Sequence, residues 1–313
     1  YTNPGVAMIN WAPIKRSGSV VTARMNWFAR NPLATAEIYG LDTNGTVYKS
    51  SNGGFSWAVL GGKPCTVSIA TPGVVTCVGH NLNAGDPIAF STDGALPTGI
   101  TAGLTYYVLA TDKTTDTFKF STTVGGSPVD TSGSQSGSHT IMTRGGAGQG
   151  LGIWKNCLFV ARESAIDAYG LLSNNPTWTF NWQTIDSDSK WHPMLVSKND
   201  GKLYGGAGRY IFSIEEATTF SPTDTNTFNW NYRALDLPSD YRIKCLAELG
   251  NNLMIGTWVS GATTNDVATL KIADIFPWDR SSPSFGQPIQ LGENGVNAMI
   301  TIKSSLYILA GIT

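Results

Sequence analysis

Thr179-Phe180-Asn181-Trp182 returns as Thr227-Phe228-Asn229-Trp230, with the tryptophans 48 residues apart. That repetition limits the possible folds more than any other feature, because a period of 20–50 residues marks a solenoid, a propeller or an array. Phe55-Ser56-Trp57 and Ile9-Asn10-Trp11 are looser copies, their tryptophans 46 residues apart. Phe285-Gly286-Gln287, followed by Pro288-Ile289-Gln290-Leu291, is a degraded one. Between these marks runs a second series of short apolar segments: Ala36 to Gly40, Cys157 to Val160, Lys202 to Gly205, Asn252 to Gly256 and Ser305 to Ile308. All but the first follow a turn-like or polar cluster, such as Asn199-Asp200-Gly201, itself preceded by another apolar run, such as Met194-Leu195-Val196. Strand, tight turn, strand, loop, strand, aromatic strand, every 45 to 55 residues, is the pattern of a β-propeller blade. No sustained helical apolar period competes with it.

Composition agrees. Charged residues are 14 % of the 313, while Gly 35, Trp 10, Tyr 11 and Phe 12 favour turns and strands. The formal net charge of −1 removes the electrostatic case for a nucleic-acid or anionic-membrane surface. No stretch approaches the ~20 apolar residues of a membrane span. The chain opens at Tyr1 without a charged and then apolar leader. The absent initiator Met leads us to expect a processed or partial chain, so export is not legible from this end.

One interval breaks the rhythm. Trp57 and Trp182 are 125 residues apart, about 77 more than one repeat. The excess falls between Lys63 and Arg144, where Trp disappears, Thr, Ser and Gly dominate, and Gly61-Gly62 and Gly145-Gly146 flank the change. We therefore expect an all-β chain with propeller at residues 1–62 and 145–313 and a small inserted β module at 63–144, placed in a connection that tolerates insertion. Ile9-Asn10-Trp11 reads as an outer strand lacking inner ones, and the chain stops after an inner strand. Five blades follow if the two ends share one; a fragment of a longer propeller is the alternative.

Ser50-Ser51-Asn52-Gly53-Gly54-Phe55-Ser56-Trp57 resembles the Asp-box of sialidases and several unrelated propellers. Ser50, Gly54 and Trp57 match, while Asn52 and Ser56 replace Asp and Thr. The resemblance implies a structural turn on an outer hairpin, not chemistry. His80-Asn81-Leu82-Asn83-Ala84-Gly85-Asp86-Pro87-Ile88, Gly94 to Ile100, Ala102 to Val108, Asp116 to Ser121 and Asp130 to Gly133 follow in order. Together they resemble the small β modules of tail, fibre and baseplate-associated proteins of tailed bacteriophages, over about a quarter of the chain. That resemblance implies a place on a virion tail, although such modules also occur in prophage-derived and bacterial surface proteins.

Chemistry-bearing patterns are sparse. Cys65, Cys77, Cys157 and Cys245 form no C-x-x-C pair; Cys65 and Cys77 bracket Thr71-Pro72-Gly73 and could face each other across a hairpin, more in keeping with two buried thiols than a disulfide. His80 and His139 lie near the two ends of the module without a neighbouring ligand cluster, and His192 precedes an inner strand. No catalytic residue, cofactor or metal is expected. A glycosidase needs two carboxylates; of the six glutamates, Glu37 and Glu248 are the nearest to inner strands, and Arg162 and Arg209 follow such strands. These read better as strand-end charges. Trp57, Trp182 and Trp230 read as packing between blades, whereas Trp154, Trp191, Trp258 and Trp278 are off-register and are the candidates for stacking on sugars. Asn44-Gly45-Thr46 fits a glycosylation sequon, but Asn-Gly reads first as a hairpin turn.

The expectation is a non-enzymatic structural or adhesion component of a phage tail or similar virion or extracellular surface assembly. The propeller would be its rigid platform and the module its contact element. Other assembly subunits, further copies of this chain and a host-surface glycan would be its partners. A sialidase-like or other carbohydrate-active propeller enzyme, or a glycan-binding lectin, is the alternative.

Overall fold

The computed structural model describes residues 24–144, 149–186, 191–259 and 272–311. Ile9-Asn10-Trp11 and the Gly145-Gly146 cluster lie outside the described residues. Almost every element is a strand; among the described residues one 3₁₀ turn, Thr225–Thr227, is the only helical piece.

Four antiparallel sheets of four strands each carry the repeat. The first contains β1 (Met25–Arg30), β2 (Ile38–Asp42), β3 (Val47–Ser50) and β4 (Ala58–Val59). Lys63 to Thr143 then forms a separate seven-stranded sheet from β5 (Lys63–Val67), β6 (Val75–Thr76), β7 (Pro87–Thr92), β8 (Thr105–Val108), β9 (Thr117–Phe118), β10 (Phe120–Ser121) and β11 (His139–Thr143). The second four-stranded sheet is β12 (Gln149–Trp154), β13 (Cys157–Arg162), β14 (Ala165–Gly170) and β15 (Thr177–Thr184). The third is β16 (Met194–Val196), β17 (Leu203–Ala207), β18 (Tyr210–Glu216) and β19 (Phe228–Asp236). The fourth is β20 (Tyr241–Leu249), β21 (Asn252–Val259), β22 (Asp274–Trp278) and β23 (Ile289–Gln290). A two-stranded sheet, β24 (Val296–Ile302) and β25 (Ser305–Ala310), ends the series.

Each four-stranded sheet pairs its strands in chain order, and the first strands β1, β12, β16, β20 and β24 lie beside one another in sequence. Among the described residues this is a propeller-like arrangement with four blades. The Trp landmarks fall where the period places them: Trp182 and Trp230 on fourth strands, Trp57 immediately before one, and the degraded copy Ile289-Gln290 on the fourth strand of the last full sheet.

The packing under those tryptophans explains the repeat. In the second sheet Phe159 pairs with Ala168, and its ring centroid lies 5.0 Å from Trp182. In the third sheet the sizes are exchanged: Gly205 pairs with Phe212, whose ring lies 5.0 Å from Trp230. A Cβ on Gly205 would come within 2.0 Å of the Phe212 ring. In these two sheets the middle strand pair therefore holds one aromatic ring beside the outer-strand Trp, supplied by either strand. In the first sheet Trp57 itself covers Gly40, its ring 3.3 Å from where a Cβ would stand.

The Ser50 to Trp57 turn is held by side chains. Ser50 Oγ accepts from Gly54 N, Asn52 Oδ1 accepts from Ser56 N, and Trp57 Nε1 donates to Gly54 O. Gly53 and Gly54 take φ of 72° and 93°, a region where a side chain would be strained. Around Asn44-Gly45 the chain also turns, with Asp42 Oδ1 accepting from Asn44 N and Thr46 N.

In the seven-stranded sheet the β5–β6 register runs Thr66 to Thr76, which sets Cys65 opposite Cys77. Both thiols are free and buried, and burial pushes them up to about 12 and about 11. This sheet is not separately cored. Ile88, Phe90 and Ile141 share one cluster with Tyr39, Leu41 and Val47 of the first sheet and Leu158, Trp178 and Phe180 of the second. Lys63 Nζ donates to Trp178 O, Trp178 Nε1 to Gly61 O, and Asn81 Nδ2 to Phe180 O.

Candidate functional site

The first strands of successive sheets lie beside one another, so this is where a site shared by several sheets can form. Two of the four off-register tryptophans meet there. Trp191, bridged to Gln149 at the head of β12, and Trp258, near the end of β21, stand with ring centroids 5.8 Å apart at 72°. Both are half-buried. Lys244 of β20 places its ammonium 4.5 Å from the Trp191 ring centre and donates to Asn297 Oδ1 of β24 at 2.6 Å.

Two β-bulges make this contact. The β20–β21 register shifts between Ile243 and Cys245, and the β24–β25 register shifts between Val296 and Ala298. Lys244 and Asn297 are the extra residues, released from the strand alternation and re-aimed toward each other. Half-burial disfavours the ammonium and brings the Lys244 pKa down to about 8. The cluster thus brings together two half-buried indoles, an amine of lowered basicity and a side-chain amide. Such a set can stack on a pyranose ring and bond its hydroxyls.

The other two candidates are corrected by their burial. Trp154 is 3 % and Trp278 4 % exposed, with indole N–H groups donating to Gly201 O and Ser282 O. Trp154 packs on Phe159 and Phe220, and Trp278 on Tyr204, so neither has a face left for a sugar.

The charged residues weighed for glycosidase work are held in separate pairs. Glu37 pairs with Lys49 at 2.7 Å and Glu248 with Arg280 at 2.5 Å, in the first and fourth sheets. Glu248 also accepts from Lys198 N. Arg162 pairs with Asp167 and Arg209 with Asp236. His192 is fully buried, bonded through its ring nitrogens to Gly206 O and Glu163 O, and burial lowers its pKa. His139 bridges Thr92 and Gln135, while His80 packs edge-on against Phe118. Among the described residues no group of His, Cys, Asp and Glu could hold a metal ion, and no helix is long and apolar enough to cross a membrane.

Lys244 and Asn297 were not legible as site residues, since the sequence shows no bulge there. No known protein family matches the chain, and no curated protein does. Among solved structures it is similar to the phage phi92 endosialidase, at 14 % identity and a TM-score of 0.34 over 91 % of this chain. This chain spans about half, 52 %, of that endosialidase chain. It is also similar to the β-propeller domain of Cps50 (Swd1) from Myceliophteria thermophila, at 9 % identity, TM-score 0.34, covering 95 % of this chain and 100 % of that one. Citrobacter koseri AztD is a third, at 9 % identity and TM-score 0.32, covering 93 % of this chain and 76 % of that one.

Proposed function

We propose that this protein is a non-enzymatic adhesion component of a phage tail or comparable surface assembly, and that it holds a glycan at the Trp191–Trp258 pair. The observation that carries the glycan contact is that pair, with Lys244 and Asn297 turned toward it by two bulges. Aromatic planes bordered by an amine and an amide bind sugars without supplying an acid and a nucleophile. The carboxylates considered for hydrolysis are occupied by ion pairs.

In the same reading the platform is a five-bladed propeller whose fifth blade starts with β24 and β25 and gains a further strand beyond β25. Trp11 precedes Met25 by 14 residues, much as Trp182 precedes Met194 by 12 and Trp230 precedes Tyr241 by 11. Trp11 therefore has the spacing of an outer-strand landmark before the next first strand. The β24–β25 sheet leaves Ile300 and Tyr307 54 % and 55 % exposed, an apolar surface of the kind that marks a contact site. The seven-stranded module is the contact element, with exposed Ile69, Val78, Leu104 and Val124 in its loops. The likeness of its motifs to phage modules supports the virion location, and several copies would assemble with cyclic symmetry.

A glycan array tests the binding claim. Binding without turnover is expected, weakened about tenfold or more by Trp191→Ala or Trp258→Ala, about 1.4 kcal/mol for a lost stacking face. Cleavage of a bound glycan, or equal binding by both variants, would refute it.

A further inference from the structure

A second polar site lies away from the Trp pair, where the module meets the second sheet. A cavity of about 50 Å³ opens between Asp86, Thr143 and Arg144 on the module side and Arg162, Asp167 and Asn181 on the other. That volume holds a few waters or the hydroxyl-bearing edge of a larger molecule.

Its lining is built rather than incidental. Arg162, with a side chain 6 % exposed, donates through Nε to Asp167 Oδ2 and through Nη1 to Gly45 O, but its buried Nη2 has no partner in the protein. Arg144 donates to Thr46 Oγ1 and Gly103 O, and its Nε is likewise buried without a partner. A buried N–H group needs a water or a ligand. On the acceptor side, Asp86 Oδ2 takes bonds from Asn83 N and Asn181 Nδ2. Burial raises the Asp86 pKa, as expected of a carboxylate with incomplete compensation. Asp167 is more fully used, accepting from Arg162, Thr143 and Asn181 N.

We infer that this cavity is a subsite for a neutral polyhydroxylated ligand, such as the diol edge of a sugar. The two arginines are offset by the carboxylates of Asp86, Asp167 and Glu163 around the same cavity. An anion would therefore meet as much repulsion as attraction, while a cation would meet unpartnered guanidinium donors. A hydroxyl both accepts and donates, so one group can accept a hydrogen bond from Arg162 Nη2 and donate one to Asp86. This subsite does not depend on the Trp191–Trp258 reading.

The test is nuclear magnetic resonance titration of the full chain with the methyl glycosides of glucose, galactose and mannose, and with sodium acetate in parallel. At least one glycoside should shift the Arg162 and Asn181 side-chain resonances, while acetate leaves them in place. Asp86→Asn should weaken that binding about tenfold, as for one hydrogen bond to a charged group. Arg144→Gln should weaken it as well. A shift with acetate alone, no shift with any glycoside, or binding kept at full strength in both Asp86→Asn and Arg144→Gln would overturn the inference. A thermal melt of each variant separates loss of binding from loss of fold.

Discussion

Exchanging the aromatic ring between strands of the third sheet should be tolerated, because the second sheet already uses the opposite assignment. Phe212 is fully buried, stacks 5.0 Å from Trp230 and fills the space over Gly205. Phe212→Ala removes that ring and should cost about 3–5 kcal/mol, the usual range for emptying a buried Phe site. Gly205→Phe alone would drive a second ring into occupied space and should unfold or severely destabilise the protein. The double variant Gly205→Phe with Phe212→Ala reproduces the Phe159–Ala168 pair of the neighbouring sheet. It should recover about 2 kcal/mol or more relative to Phe212→Ala, the worth of reburying one Phe side chain. Recovery need not be complete, since the ring enters from β17 instead of β18. Urea unfolding followed by Trp fluorescence reads all three. A double variant no more stable than Phe212→Ala would mean that the two sheets are not equivalent, and the explanation of the repeat would fail.

Asp167→Ala should destabilise by about 3–5 kcal/mol, because it leaves the buried Arg162 charge unpaired and strips an acceptor from Thr143 and Asn181; a loss below about 1 kcal/mol in urea would contradict the buried pair. The raised Asp86 pKa means that its favourable protonated contribution is present below the ordinary carboxylate value and is lost as pH rises through the folded value. Asp86→Asn should therefore be at least as stable as wild type at pH 7 and show a flatter acid-side pH profile; a lower midpoint at neutral pH would count against this. Lys244 has the opposite sign: its folded pKa is depressed to about 8, so wild-type stability relative to Lys244→Met should rise between pH 8 and about 10.5. A pH-independent difference between those two proteins over that window would show that Lys244 is not desolvated.

The propeller-like order was legible because two of its tryptophans, Trp182 and Trp230, obey a packing rule that local sequence carries: an outer-strand Trp beside one aromatic ring from the middle strands. The β5–β6 hairpin was legible for a similar reason, since a turn signal and two apolar cysteines define a register. Burial of Trp154 and Trp278 was not, because each indole N–H is satisfied by a carbonyl that only the fold brings near. Lys244 and Asn297 were hidden for a different reason. A bulge is a mismatch between two strands, and neither strand records it alone. Asn181 illustrates the same limit: it belongs to the repeated Thr-Phe-Asn-Trp motif, yet in this copy alone it reaches the module to bond Asn81 O and Asp86 Oδ2.

The platform reading rests on the sheet begun by β24 and β25 gaining a further strand beyond β25. Residue-resolved hydrogen exchange on the full chain measures this directly, since β25 is the outermost paired strand there among the described residues. Protection of the Ser305–Ala310 amides that β24 leaves unbonded, comparable to that of the β13 amides, is the predicted result. Exchange of those same amides at the rate of an open strand edge would contradict it.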